Sequence, residues 1–291
     1  MPELPEVEVT RRQIEKILVG RTVLGVDTTK KSYFFLTPPA ELRARLIGRR
    51  TESLLRFGKY LVAELDDGSR LLLHLGMTGQ LFAAGVKSPR LLSAKGRAAL
   101  VSARAVSFEP DQHTHLVLRF AEPGPSLYFR DVRKFGKVAW IPRGGANERL
   151  DKLGVDALRA TGQELYAAAR RRAAPIKNVL LDQSVLAGVG NIYADEALFL
   201  SKIRSTRSAK RLSREECERL ATAVRRVLRR SITRGGSSID DYVRPDGSDG
   251  RYQSECHVYG RTGAPCRVCQ TSIKRIVIGG RSAHYCATCQ K

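Results

Sequence analysis

Two cysteine pairs near the C-terminus constrain this chain more than any other feature. Cys266-x2-Cys269 is followed, after sixteen intervening residues, by Cys286-x2-Cys289. Four thiolates at this spacing close a tetrahedral zinc shell with no position left for water, so one structural Zn2+ is expected and no redox or nucleotide cofactor. The spacer from Ile273 to Tyr285 has the length of a β-hairpin and carries Lys274, Arg275 and Arg281. Such a stapled hairpin suits a phosphate or groove probe. Of the two remaining cysteines, Cys217 shares an apolar helical stripe with Leu220, Val224 and Leu228 and reads as packing. Cys256 reads as a buried or redox-sensitive thiol outside the metal set.

A basic hairpin needs a polyanion, and the charge balance supplies the same clue. The 291 residues hold 51 Lys and Arg against 29 Asp and Glu, a net charge of +22. Nucleic acid is the first candidate, although charge alone attracts any phosphate array. No apolar run approaches the roughly 18 residues of a membrane span, and the acidic, Pro-containing N-terminus lacks a signal-peptide layout. A cytoplasmic protein without membrane contact is expected.

Hydrophobic periodicity predicts an N-terminal helix over 7–18, with Val7, Ile14, Ile17 and Leu18 on one face and Gly20 to end it. Between about 21 and 140, short apolar runs at Tyr60–Leu65, Arg70–Leu75, His115–Phe120 and Lys137–Ile141 alternate with turn signals at Asp67-Gly68 and Pro123-Gly124. Residues 1–141 therefore form a β-rich domain and 142–147, with Gly144-Gly145, a linker. Helices follow at 162–172, 176–183, 191–200 and 213–233, the last opening on the capping-box pattern Ser213-Arg-Glu-Glu216. They make 148–240 a helical domain, and 241–291 holds a loop segment and the metal knuckles. The stretch 201–234 has twelve Lys or Arg against three Glu, which fits either a phosphate-facing surface or an ordinary solvated helix face. Residues 84–107 lack steady periodicity and read as a mobile surface loop.

The first residues carry chemistry. Met1 before Pro2 is expected to be removed, leaving a free secondary amine. An α-amine titrates near pH 7.7 to 8, so a useful fraction is nucleophilic at neutral pH. Attack on a sugar C1′ forms an iminium, an electron sink for elimination. Glu3 beside it, desolvated, can be held protonated as a general acid. Glu6 lies one turn further and can assist, whereas Glu8 reads as a carboxylate favourably placed near a helix N-terminus.

This opening, with Lys59 in Arg-Phe-Gly-Lys, the run His74-Leu-Gly-Met-Thr-Gly79, Ala187-Gly-Val-Gly-Asn-Ile-Tyr-Ala194 and the terminal cysteines, resembles the formamidopyrimidine-DNA glycosylase family over nearly the whole chain. The resemblance implies an α+β protein: an N-terminal β-sandwich with an N-terminal helix, then a helix-two-turn-helix region ending in a zinc-finger hairpin. It implies a monomer acting on damaged double-stranded DNA in the bacterial cytoplasm or nucleoid, excising oxidised purines such as 8-oxoguanine and formamidopyrimidines and cutting the strand by β,δ-elimination.

Carried over position by position, the resemblance makes Pro2 the Schiff-base nucleophile and Glu3 the acid that protonates the opening sugar. Lys59 becomes the proton donor for β-elimination and a phosphate anchor, and Arg281 the donor for δ-elimination. Base removal from a duplex requires flipping, which wedge side chains assist. Met77 would fill the vacated space, Arg133 would bond the orphaned cytosine and Phe135 would stack at the kink. His113, Arg172, Lys177 and Asn191 would contact DNA, and His74 reads equally as wedge support or as a structural histidine. Two places depart from the family pattern: the stretch between Met77 and Arg133 is long, and Cys256-His257 replaces an apolar pair. The usual His-Asp-His is His113-Thr-His115 here. Rival readings are an endonuclease VIII-type enzyme using the same amine on oxidised pyrimidines, and a non-catalytic zinc-ribbon protein that binds nucleic acid.

Overall fold

A computed structural model describes residues 1–88, 107–239 and 242–291. Most of the 84–107 stretch, for which a mobile loop is expected, lies outside them. The chain forms two compact units: Met1–Glu148 with Gly235–Arg251, and Arg149–Arg234 with Tyr252–Lys291. The contiguous division read from the sequence is thus crossed by one segment, because residues 235–251 pack with the first unit. Their hydrogen bonds to Glu6, given below, account for it.

In the first unit α1 (Leu4–Leu18) precedes eight strands: β1 (Val23–Thr28), β2 (Thr51–Phe57), β3 (Tyr60–Leu65), β4 (Arg70–His74), β5 (Gly79–Ala83), β6 (Thr114–Phe120), β7 (Leu127–Asp131) and β8 (Lys137–Ile141), with α2 (Pro39–Leu46) after β1. They make two four-stranded antiparallel sheets, ordered β1-β6-β7-β5 and β2-β3-β4-β8. Alternating side chains of both sheets meet in one core, including Val26, Leu116, Leu118 and Phe129 from the first sheet and Leu54, Leu61, Leu73 and Val138 from the second. This is a β-sandwich.

Helix α1 begins three residues before the periodicity predicts. Glu3 is its extended N-cap residue, and its N–H donates to Glu6 Oε2 at 2.9 Å, satisfying one of the donors that a helix start leaves open. Pro5 lies in the first turn, where its missing N–H costs nothing. The apolar face then runs from Leu4 through Val7 and Ile14 to Leu18, all buried.

The second unit contains α3 (Gly162–Arg170), α4 (Ile176–Leu181), α5 (Asn191–Leu200) and α6 (Arg214–Thr233), a two-residue parallel pairing of β9 (Val155–Asp156) with β10 (Leu186–Ala187), and the hairpin β11 (Lys274–Ile278) with β12 (Arg281–Tyr285). The Ser213–Glu216 capping box forms as predicted, and a second one, Thr161–Glu164, opens α3. Residues Ile192–Phe199 of α5 are all buried, so it is a central helix with no solvent face. Cys217 packs in the core with Leu220, Val224 and Leu228. Among the described residues, no helix is long and apolar enough to cross a membrane.

Candidate active site

The N-terminus is packed rather than loose. Pro2 and Glu3 are buried immediately ahead of α1. Glu6 does more than cap the helix: its Oε1 accepts from the Ser237 N–H at 2.7 Å, and its backbone carbonyl accepts from the Tyr242 hydroxyl at 3.2 Å. Both bonds pin the 235–251 segment to the first turn. Gly236, at φ +84°, sits where a Cβ would come within 3.0 Å of Glu6 Oε1, so a larger residue there is disfavoured twice.

Lys59 occupies the two-residue turn between β2 and β3, after Gly58 at φ +55°. A positive φ at the first central position is what a type II′ hairpin turn asks for. Lys59 is largely buried, which sets it apart from an ordinary surface lysine.

The three expected wedge residues converge on two loops that touch. Met77 is 37% and Phe135 41% exposed, unusual for large apolar side chains in a sandwich. Gly76 has φ +62°, and a Cβ there would lie 2.5 Å from the Gly136 nitrogen and the Phe135 carbonyl carbon. Only glycine lets the Met77 loop lie against the Arg133–Gly136 loop. Asp131, fully buried, ties the two together: the Thr78 hydroxyl donates to Oδ1, the Arg133 N–H donates to Oδ1 at 3.2 Å and the Gly136 N–H to Oδ2 at 2.7 Å. The Arg133 guanidinium lies 4.7 Å over the Phe135 ring, and the Tyr33 hydroxyl donates to the Arg133 carbonyl at 2.8 Å. Sequence reading missed Asp131 and Tyr33, because nothing local joins residues 33, 78 and 131.

Of the histidines, His74 lies against the Tyr60 ring with centroids 4.6 Å apart, and its Nδ1 accepts from the Gly76 N–H at 3.2 Å. It braces the Met77 loop. His115 is buried, with Nε2–H donating to the Asp131 carbonyl at 2.9 Å and Nδ1 accepting from the Thr29 hydroxyl at 3.1 Å. Its partner in the His-Thr-His motif, His113, is half-buried, and its N–H donates to Asp111 Oδ1 at 3.0 Å.

In the second unit, Lys177 does not stand where a phosphate contact would. Its side chain is fully buried, its Nζ is 2.6 Å from Asp195 Oδ1, and it also donates to the Ser282 carbonyl. Asp195 Oδ2 accepts from the His284 N–H at 2.8 Å and from its Nδ1–H at 3.1 Å. The expectation of a DNA-contacting Lys177 is corrected to a buried anchor joining α4, α5 and β12. Arg172, half-buried, donates to the Ala168 carbonyl at 2.9 Å and lies 3.7 Å from Asp182. Asn191 starts α5 after the Gly188–Gly190 turn, and its Nδ2 donates to Ser282 Oγ at 3.2 Å. Gln183 shapes that turn, accepting from the Gly188 N–H and donating to the Val189 carbonyl, both at 2.9 Å.

Arg281 is exposed at the start of β12, one residue from Ser282. It follows the Gly279-Gly280 turn, whose first glycine packs on the Asn178 amide. Glu196, beside Asp195 and equally buried, accepts from the N–H groups of His257, Val258 and Tyr259 at 2.8, 2.9 and 2.9 Å. Burial pushes its carboxyl above the ordinary range against these three donors. The pair of adjacent carboxylates anchors the approach to the metal knuckles and one strand of their hairpin.

The Sγ atoms of Cys266, Cys269, Cys286 and Cys289 all lie within 4.8 Å of one another. Cross pairs are 3.9 Å (Cys266–Cys289) and 3.4 Å (Cys269–Cys286) apart, bracketing the roughly 3.8 Å edge of a tetrahedron with Zn–S bonds of about 2.3 Å. The Val268 N–H points to Cys266 Sγ at 3.4 Å and the Cys289 N–H to Cys286 Sγ at 3.5 Å, as thiolate acceptors require. The donor set therefore fits one closed structural Zn2+. Cys256 is buried outside this set, its Sγ 3.8 Å from the Tyr252 carbonyl, which favours packing over redox exposure. Chelation is expected to release one Zn2+ per chain and, since structural zinc contributes on the order of 10 kcal/mol, to unfold β11 and β12; metal analysis and amide exchange across 266–289 measure both.

The chain thus holds a β-sandwich with a buried Pro-Glu start and a helical unit that ends in a four-cysteine hairpin. Residues 1–138 match the family model of the formamidopyrimidine-DNA glycosylase N-terminal domain, 153–243 its H2TH domain, and 263–291 the zinc finger found in FPG and IleRS. Formamidopyrimidine-DNA glycosylases of Cupriavidus pinatubonensis and Thioalkalivibrio sulfidiphilus are 43% and 40% identical to the chain, each over the full length of both proteins. The crystal structure of MutM (FPG) from Thermus thermophilus superposes with a TM-score of 0.83 at 37% identity, covering 99% of this chain and 98% of that one. A Lactococcus lactis FPG mutant in complex with a Fapy-dG containing DNA matches with a TM-score of 0.84 at 33% identity, covering all of both chains. The chain belongs to the formamidopyrimidine-DNA glycosylase family and is an enzyme of that class.

Proposed function

We propose that this protein excises oxidised purines, 8-oxoguanine and formamidopyrimidines, from duplex DNA and then cuts the strand by β,δ-elimination, acting in the bacterial cytoplasm. The observation that carries the reading is the first turn of the chain, where Pro2 and Glu3 are buried at the N-cap of α1. Family membership and relatives solved with Fapy-dG and abasic-site DNA support the substrate class.

With Met1 removed, the unprotonated Pro2 amine adds to C1′ of the extruded nucleotide and the damaged base leaves with a proton. Glu3 protonates O4′ as the C1′–O4′ bond opens, giving an iminium between Pro2 and C1′. The iminium draws electrons, so C2′ loses a proton and the C3′–O bond breaks; a second elimination breaks C5′–O. Lys59 neutralises and protonates the first departing phosphate, and Arg281 stabilises the second by its permanent charge and hydrogen-bond donors. Met77, Arg133 and Phe135 occupy the gap left by the flipped base, with Arg133 donating to the widowed cytosine. Asn191, Arg172 and His113 contribute phosphate contacts.

Duplexes carrying 8-oxoguanine opposite cytosine and duplexes carrying thymine glycol separate this reading from an endonuclease VIII-type preference. Borohydride is expected to trap a covalent complex with the first, and base release to be faster there. Faster release of thymine glycol would move the enzyme to the pyrimidine branch, and absence of any trapped complex would remove the amine mechanism.

A further inference from the structure

We infer that Glu8 and Arg56 are positioning residues that set where the Lys59 ammonium stands relative to the first turn of α1. The inference rests on the role proposed above for Lys59. By sequence Glu8 is a helix-start carboxylate with no further task. In the fold it is buried and reaches across to β2: Arg56 Nε donates to its Oε2 at 3.1 Å. The same guanidinium turns its other arm to the hairpin tip, where NH1 donates to the Gly58 carbonyl at 3.0 Å, the peptide unit that leads directly into Lys59. One planar fork thus joins the helix that Pro2 and Glu3 lead into to the turn bearing Lys59.

The neighbouring charges make this joint stiff. Arg12 Nε donates to Glu8 Oε1 at 2.7 Å, and Arg11 donates to both Glu8 oxygens at 3.3 Å. Arg11 NH1 also reaches the Leu54 carbonyl of β2 at 3.2 Å, a second tie between the same two elements. Arg56 and Glu8 side chains are only 9% and 10% exposed, so water does not compete strongly for the contact. Burial pushes the Glu8 carboxyl up, yet the hydrogen bonds from Arg11 and Arg12 and the nearby Arg56 charge hold it below the usual carboxylate range. A lysine at 56 has one point charge and no fork, so it cannot bond Glu8 and the Gly58 carbonyl in the same fixed geometry. A two-residue turn freed at its carbonyl lets a flexible ammonium drift, and small misplacements of a proton donor are costly.

The test uses the full-length enzyme and duplex DNA with a preformed abasic site, so that base removal plays no part. Single-turnover strand scission and borohydride trapping are measured for wild type, Lys59→Met, Arg56→Lys, Glu8→Gln and Glu8→Ala, with thermal melts to confirm folding. Arg56→Lys is expected to slow scission by on the order of 10- to 100-fold while trapping proceeds at the wild-type rate. Glu8→Gln, whose amide oxygen still accepts from Arg56, should fall between wild type and Glu8→Ala. Scission at the wild-type rate in folded Arg56→Lys and Glu8→Ala, with Lys59→Met slow, would overturn the inference and leave the Lys59 role standing. Equal losses of trapping and scission would also overturn it, since that is what general disruption produces. Unimpaired scission by Lys59→Met would remove the Lys59 role, and the inference with it.

Discussion

An uncleaved extension ahead of Pro2 is expected to lower borohydride trapping and strand scission by on the order of 10³-fold or more, while affinity for an uncleavable abasic analogue stays near that of the wild type. The reason is electronic. In a peptide bond the proline nitrogen shares its lone pair with the carbonyl and cannot add to C1′, whereas a free secondary amine keeps its lone pair and can act as a nucleophile. Pro2→Gly is expected to abolish trapping too, because it removes the ring that holds the amine in one orientation next to Glu3. Intact-mass measurement of each protein shows which N-terminus it carries, and trapping gels read the effect. A covalent complex formed at the normal rate by the extended protein would place the nucleophile elsewhere, on a lysine.

The second large effect is expected at Lys177. Lys177→Met leaves Asp195 buried without its cation, and Asp195→Asn weakens the partner of a fully buried ammonium. Breaking a buried pair from one side costs about 3 to 5 kcal/mol, which corresponds to a melting-temperature loss of about 10 °C for a protein of this size. The double variant Lys177→Met/Asp195→Leu should recover part of the loss, since no charge then remains uncompensated, although Asp195 also serves His284. Because the ammonium faces the Ser282 carbonyl and not solvent, the slope of log affinity against log salt should not change. A true phosphate contact would reduce that slope by about 0.9. An unchanged melting temperature with a shallower salt slope would restore Lys177 to the DNA-contacting set. Arg281 precedes Ser282 on the same strand, β12, so strand scission by the single variants should fall along with stability.

The helices of the second unit were legible because their signals are local. Ser213 and Glu216 bond each other across one turn, and the predicted start of α5 at residue 191 agrees with the fold because Gly188 and Gly190 interrupt the chain just before it. Strands β3 and β8 were legible to the residue for the same reason: an apolar run ends where a turn residue stands. The start of α1 was misjudged because periodicity needs a second turn to become visible, while the cap at Glu3 is made by a side chain and not by an apolar repeat. Residues 235–251 read as part of the C-terminal half because Gly235-Gly236 ends a helix; that they pack with the first unit depends on Glu6, more than two hundred residues away.

The site divides in the same way. By itself the sequence determined the zinc ligands, since two Cys-x2-Cys knuckles fix thiolates at ligand spacing wherever they are placed, and it put a proline followed by a glutamate directly after Met1. Met77, Arg133 and Phe135 were singled out only through the family resemblance, since a lone Met or Phe in a strand reads as core. Only the tertiary structure decided which polar residues face outward and which are spent inside. Lys177 and Arg281 are both basic side chains in basic surroundings, yet one is fully buried and the other exposed. Asp131, Asp195, Glu196 and Glu8 carry no motif, yet each binds groups distant in sequence. The physical reason is that a buried charge is tolerated only where partners converge on it, and convergence is a property of packed elements.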